Sequence, residues 1–273
     1  MSVAADRDSI EVERRGPVTV LTLDRPDSLN ALSHGLLRRF DELLDELKYD
    51  YAQRVIVLAG AGRAFCAGMD LKGQADGAVW VEDAGPTQAT YALQEAVGRL
   101  IAQLRDVPQP IVAAVHGVAA GGGLSLASAS DRRVAEKGTR FIASFVRLGV
   151  SGGDMGSSWF LPRIVGWERA ADILYTGREI GADEALEMGL VSEVVEQGAA
   201  RERAVELAEA MCVTSPFGLR QTKSLLNLSR DGLSLRHHLE LENRTQVMAT
   251  TTADFSEGGR AFAERRDPVF KDR

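Results

Sequence analysis

Two glycine-rich turns hold the backbone groups best suited to chemistry in this chain. The first, Gly60-Ala61-Gly62-Arg63-Ala64-Phe65-Cys66-Ala67-Gly68-Met69-Asp70-Leu71, follows the apolar run Arg54 to Ala59. The second, His116-Gly117-Val118-Ala119-Ala120-Gly121-Gly122-Gly123-Leu124-Ser125, follows Ile111 to Val115 and leads into a helix predicted to start near Gly122. Glycines allow backbone amides to approach a ligand closely. At a helix N-terminus those amides lack intrahelical partners and lie at the positive end of the dipole, which suits an anion or an oxyanion formed during a reaction. No Lys or Arg follows the second turn before Arg132, which favours a transient enolate charge over a permanent phosphate. Neither turn has the spacing of a dinucleotide site or the Lys-Ser/Thr of a P-loop. Taken alone, the first turn reads as structural.

An oxyanion site moves no proton, so an acid or base must stand near it. Asp154, within Gly152-Gly153-Asp154-Met155-Gly156-Ser157-Ser158, is one candidate, although an Asp among glycines ordinarily serves a turn or cap. Ser125 lacks a G-x-S-x-G setting and reads as a packing or capping hydroxyl. His116 reads as a turn residue, and His34, His237 and His238 show no metal-ligand spacing, so no metal is inferred. Cys66 and Cys212 are too few for a disulfide framework or a structural zinc site and read as small buried hydrophobes.

The elements that must position these residues alternate between strand and helix. Ile10 to Arg14 and Val18 to Asp24 read as a hairpin around Gly16-Pro17, and Ser33 caps a helix to about Tyr49 with a leucine-rich stripe. Arg54 to Ala59 and Ile111 to Val115 read as buried strands, and Thr87 to Leu104 as a helix. Gly73 to Pro86 has no clear period and is expected to be a mobile loop. From about Glu168 the chain is mostly helical, with Ser215-Pro216 as a cap and Asp254 with Glu257 as a capping-box pair. The fold class is α/β, divided into a core over 1–205 and a helical region over 206–273. Ile111 to Ser130 has no charged residue, but its glycines and β-branched start argue for strand, turn and helix over a membrane span. A net charge of −7 argues against nucleic-acid binding. With a charged N-terminus and few cysteines, the chain is expected to be cytoplasmic.

Arg25-Pro26 with Asn30-Ala31-Leu32, Gly62 to Leu71, and Pro110 to Gly117 with Gly121-Gly122-Gly123 together resemble the crotonase (enoyl-CoA hydratase/isomerase) superfamily. Leu161 to Gly166, Thr176-Gly177-Arg178, Ala182 to Ser192 and Ala261 to Arg266 continue the resemblance in order, from about residue 10 to the C-terminus. The resemblance implies a spiral of ββα units with a helical C-terminal region that packs into a homotrimer or a dimer of trimers. It implies an acyl-CoA substrate, no cofactor beyond the coenzyme A of that thioester, and neither a nucleic-acid nor a membrane partner. It also implies an oxyanion hole from the N–H groups of Met69 and Gly122, beside Gly121. By the same resemblance Asn30, Ala31, Leu32, Ala67, Gly68, Asp70 and Leu71 line the adenine and pantetheine path, and Phe262 and Arg265 reach the coenzyme of a neighbouring subunit.

The chain departs from the hydratase pattern at the acids. Family hydratases carry two glutamates, and counted along this chain their places fall on Ser125 and Phe145. Ordinary two-glutamate hydration therefore lacks both of its carboxylates. Asp154 falls, with one gap, where dienoyl-CoA isomerases and the aromatic dehalogenase branch place a catalytic aspartate. The resemblance thus implies an enoyl-CoA hydratase/isomerase type of enzyme with Asp154 as acid/base. The alternative is a catalytically silent acyl-CoA-binding protein.

Overall fold

Parallel strands covered on both faces need apolar residues at every position, and the chain supplies them. In a computed structural model, which describes residues 9–72, 81 and 84–272, Val18–Leu23 (β2), Val55–Gly60 (β3) and Ile111–Val115 (β4) are almost wholly buried. With Arg132–Glu136 (β6) and Glu193–Val195 (β9) they form a parallel array, edged by the antiparallel strand Ile10–Arg15 (β1) in the order β1-β2-β3-β4-β6-β9. Side chains alternate between the faces. Leu21, Leu23, Ile56, Leu58 and Ala113 pack with helices His34–Lys48 (α1) and Pro86–Asp106 (α2). Val18, Val20, Val55, Val57 and Val112 pack with a helix further along the chain, Ala200–Cys212, described below.

A second wall faces the glycine turns. Val118–Ala120 (β5), Arg140–Ile142 (β7) and Glu179–Gly181 (β8) form a three-stranded sheet, extended by single bridges Cys66↔Ala119 and Leu32↔Met69. Each passage of the chain thus gives a strand to each wall and then a helix, which is the expected ββα spiral. Gly122–Ala129 (α3) follows β5 and is entirely buried, so the uncharged run from Ile111 to Ser130 is strand, turn and interior helix. No helix among the described residues is long and apolar enough to cross a membrane. The Arg133 guanidinium, buried beyond the far end of α3, donates to the carbonyls of Ala127, Ser130 and Leu190 at 3.2, 2.6 and 2.5 Å. A cation there complements the negative end of the α3 dipole.

Ser157–Val165 (α4), Trp167–Thr176 (α5) and Ala182–Glu187 (α6) pack beside the second wall, and Ala200–Cys212 (α7) lies across the main sheet. The expected division at 205/206 falls inside α7. Ala204, Val205, Leu207 and Ala208, on both sides of that point, bury against the same valines, so the helix belongs to the core in one piece. The helical region proper is Pro216–Arg230 (α8), Leu235–Thr250 (α9) and Ala253–Glu264 (α10). Ser215 caps α8 as the sequence suggests, but α10 is capped by Thr252, whose hydroxyl accepts from Phe255 N. Asp254 and Glu257 hold the C-terminal tail instead: Asp254 accepts from the amides of Lys271 and Asp272, and Glu257 from Arg266 and Val269 N. A carboxylate within the first turn can turn outward to any amide within reach, and the tail supplies two. Most of the expected Gly73 to Pro86 loop (73–80, 82 and 83) lies outside the described residues.

Candidate active site

The two glycine turns are bound to each other before any ligand is considered. His116 Nε2 lies 3.0 Å from Gly62 O, where the carbonyl can only accept, and Phe65 N donates to His116 O at 2.9 Å. Cys66 N donates to Val118 O, and Ala120 N donates to Cys66 O. A Cβ on Gly123 would lie 2.1 Å from Cys66 O, so only glycine lets α3 start this close to the first turn. Gly68 has φ +98°, and a Cβ there would lie 2.9 Å from Ala120 O and 3.3 Å from Gly122 N. Both positions require glycine for the approach itself. Cys66 is fully buried between the turns, and burial pushes its thiol up to about 12.

The amide directions follow from this pairing. Leu32 N donates to Gly68 O and Asp70 N donates to Leu32 O, so the Met69 N–H faces away from Leu32, towards the wall segment that runs through Ala120 into Gly121. Gly122 is the first residue of α3, where an N–H has no intrahelical acceptor. Neither N–H donates to a backbone acceptor among the described residues. A Cβ on Gly122 would lie 2.9 Å from Leu32 Cδ1 and from Met155 Sδ, and one on Gly121 would lie 3.7 Å from the Phe145 ring. Leu32, Phe145 and Met155 therefore wall the start of α3.

The side chains expected in a ligand path divide into two kinds. Asn30 is fully buried and committed to the protein: its Oδ1 accepts from Arg25 N at 2.9 Å, and its Nδ2 donates to Ala61 O and Ala64 O at 2.8 and 2.7 Å. Asp70 pairs with Arg25 at 2.9 Å, and the same guanidinium donates to Ala31 O at 2.5 Å. Asn30, Ala31 and Asp70 thus form a brace around Arg25, a residue whose role the sequence did not disclose. Ala67 and Met69 are half-buried, Gly68 is buried, and Leu71 is 52% exposed. Phe262, 88% exposed, and Arg265, exposed at the end of α10, project from the helical region into solvent.

Asp154 approaches α3 at Gly122 and Ser125. Its carbonyl oxygen lies 3.4 Å from the buried Ser125 hydroxyl, which donates to it, and the next residue, Met155, covers Gly122. Met155 has φ +46°, an unusual conformation for a residue with a side chain. The half-buried Asp154 carboxylate accepts through Oδ1 from its neighbour Met155 N at 2.8 Å and from the Gln94 side chain of α2. Oδ2 has no hydrogen-bond partner among the described residues. Gln94 carried no signal in the sequence, because its partner lies sixty residues away along the chain. The described residues contain no group of three His, Cys, Asp or Glu able to hold a metal.

A two-walled ββα spiral with two glycine turns meeting at a helix N-terminus defines a protein of the crotonase class. The chain belongs to the enoyl-CoA hydratase/isomerase family, whose model matches residues 13–273. It is 38% identical over 261 residues to the probable enoyl-CoA hydratase EchA12 of Mycobacterium tuberculosis strain H37Rv, covering 94% of this chain and 90% of the relative. It is 34% identical over 254 residues to the 1,2-epoxyphenylacetyl-CoA isomerase of Escherichia coli K12, covering 93% and 94%. The crystal structure of an enoyl-CoA hydratase from Bacillus anthracis superposes with a TM-score of 0.90 at 32% identity, covering 97% of this chain and all of that one (100%).

Proposed function

We propose that this protein binds an acyl-CoA thioester with its carbonyl oxygen between the Met69 and Gly122 N–H groups and uses Asp154 to move a proton on the acyl chain. The observation that carries the reading is the Asp154 carboxylate, held through Oδ1 and without a hydrogen-bond partner on Oδ2 among the described residues, on the segment that covers Gly122. A silent binder has no use for a carboxylate held in that way on the segment that covers Gly122.

In the proposed reaction a C–H bond of the enoyl thioester breaks and its proton passes to Asp154 Oδ2. The electron pair moves through the conjugated system to the thioester oxygen, where two preorganised amides stabilise the enolate. Return of the proton at a different carbon shifts the double bond. In the addition branch no C–H bond breaks first, and Asp154 instead takes a proton from a water as the water oxygen bonds to the β carbon, after which that proton passes to the α carbon of the enolate. Ser125 and Phe145, the places to which the family resemblance assigns the hydratase acids, supply a buried hydroxyl and an aromatic wall. Asn30, Ala31 and Leu32 support the coenzyme path by their backbone, with Ala67, Gly68, Asp70 and Leu71 across from them. The exposed Phe262 and Arg265 serve the site of a neighbouring subunit in a homotrimer or hexamer.

Asp154→Asn keeps the shape and both Oδ1 contacts but removes proton transfer. Turnover of the active enoyl-CoA, found by screening linear, branched and aromatic enoyl thioesters, is expected to fall roughly 10²–10⁴-fold with little change in affinity. Wild-type rates in the folded variant would remove Asp154 from the mechanism. Tight thioester binding by the wild type without turnover of any panel member would establish the silent-binder alternative.

A further inference from the structure

Met155 separates the start of α3 from a cavity of about 370 Å³ between α2 and α4. Ile101, Met155, Trp159 and Phe160 give it an apolar wall. Trp159 and Phe160 stand edge to face at 85° with ring centroids 4.9 Å apart. One face of α2 runs along it through Gly98, Ile101 and Arg105, which follow at helical spacing from Gln94, the partner of Asp154 outside the cavity lining. From Gly98 to Arg105 the helix rises roughly 10 Å, a length that a medium-chain acyl group spans.

Arg105 is the unusual member of this lining. Its half-buried guanidinium lies over the rings of Trp159 and Phe160, at 5.3 and 5.7 Å from their centroids. Among the described residues it forms no side-chain hydrogen bond and no ion pair within 4.0 Å. Most other arginines near the core are tied down: Arg25 by Asp70, Arg133 by three carbonyls, Arg220 by Asp272. Asp106 and Asp231 also line the cavity, but both are exposed, where water screens them. Burial and the nearby Arg230 hold the Arg105 pKa below its ordinary value, as for a cation that lacks a contact counter-ion.

We infer that this cavity receives the acyl group of the thioester and that Arg105 selects acyl groups ending in a carboxylate, so that the preferred substrates are CoA monothioesters of dicarboxylic acids. The inference rests on the acyl-CoA reading above. A planar guanidinium braced on aromatic faces matches a carboxylate in two parallel hydrogen bonds. The apolar wall between Met155 and Arg105 takes the body of the chain. Met155, an unbranched thioether in a strained backbone conformation, is the residue that must shift to connect the cavity to the Gly122 amide.

Calorimetric titration with three saturated thioesters of equal chain length tests this without turnover: octanoyl-CoA, octanedioyl-CoA and the ω-methyl ester of octanedioyl-CoA. Wild-type protein is expected to bind octanedioyl-CoA at least about tenfold more tightly than the other two. In Arg105→Gln that ratio is expected to approach one, and in Arg105→Lys to be partly retained. Equal affinities in the wild type overturn the inference while leaving the acyl-CoA reading in place, and this arm needs no variant to fold. A preference that persists in Arg105→Gln also overturns it. Failure of all three thioesters to bind overturns the acyl-CoA reading and this inference together.

Discussion

At the scale of single residues, the arrangement around Asp154 separates the carboxylate proposed to move a proton from the groups that hold it. Gln94 touches Oδ1 alone, so in the proposed mechanism it is a positioning residue whose removal frees the carboxylate to rotate. Gln94→Met is expected to lower kcat about tenfold with KM nearly unchanged, as for loss of one hydrogen bond to a charged group. A rise in KM with kcat intact would place Gln94 in substrate binding instead. The sequence pointed to Asp154 through its local glycine-flanked setting and through family register, and it left Gln94, Arg25 and Met155 without roles. Each acts through a contact between segments far apart in the chain: Arg25 meets Asp70, and Gln94 meets Asp154.

At the scale of elements, the meeting of the two glycine turns is the tightest constraint. The 2.1 Å approach of a Gly123 Cβ to Cys66 O means that Gly123→Ala must displace either α3 or the first turn. An unfolding titration is expected to show destabilisation of about 1–3 kcal/mol, as for overpacking elsewhere. Activity is expected to fall further than stability explains, because the Met69 and Gly122 amides lose their register. The α10 tail contact responds to pH. Its Glu257 carboxyl is held down to about 2, first by the Arg266 hydrogen bond and then by Val269 N, from an ordinary value of 4.5. A depressed carboxyl stabilises the fold fully above pH 4.5, and that contribution is lost as pH falls through about 2. Amide exchange across residues 265–272 is expected to accelerate within that window, and Glu257→Gln is expected to show the faster exchange already at neutral pH.

At the scale of the whole molecule, the helical region is pinned to the core by a buried lysine while large apolar side chains on it stay exposed. Lys223 of α8 reaches Leu104 O and Gln109 O at 3.1 and 2.8 Å and Asp131 at 3.2 Å. Beyond it Leu235, Leu239, Val247, Met248, Phe255 and Phe262 are exposed on α9 and α10. Such exposure is consistent with the proposed association of subunits. Sedimentation equilibrium is expected to give the mass of a trimer or hexamer, and Phe262→Asp to shift it towards monomer and weaken thioester affinity together. A wild-type monomer with full affinity would refute the shared site.

For part of the chain the sequence by itself determined which segments become strands and helices, because local periodicity and caps suffice there: β1 to β4, the Ser33 cap of α1 and the start of α3 at Gly122 stand where the residues indicate, whereas the strands β5 to β9 carry too little local pattern to be read. Through its ordered landmarks it also determined the family. Only the tertiary structure decided which of two plausible partners a polar group takes. Asp254 and Glu257 have capping-box spacing yet bind the tail, Asn30 sits in a ligand-path motif yet spends its amide on Ala61 and Ala64, and α7 continues through the expected division because valines from four strands lie beneath it. Such choices depend on what distant segments bring within hydrogen-bond or packing distance, and that information is not local to any stretch of the chain.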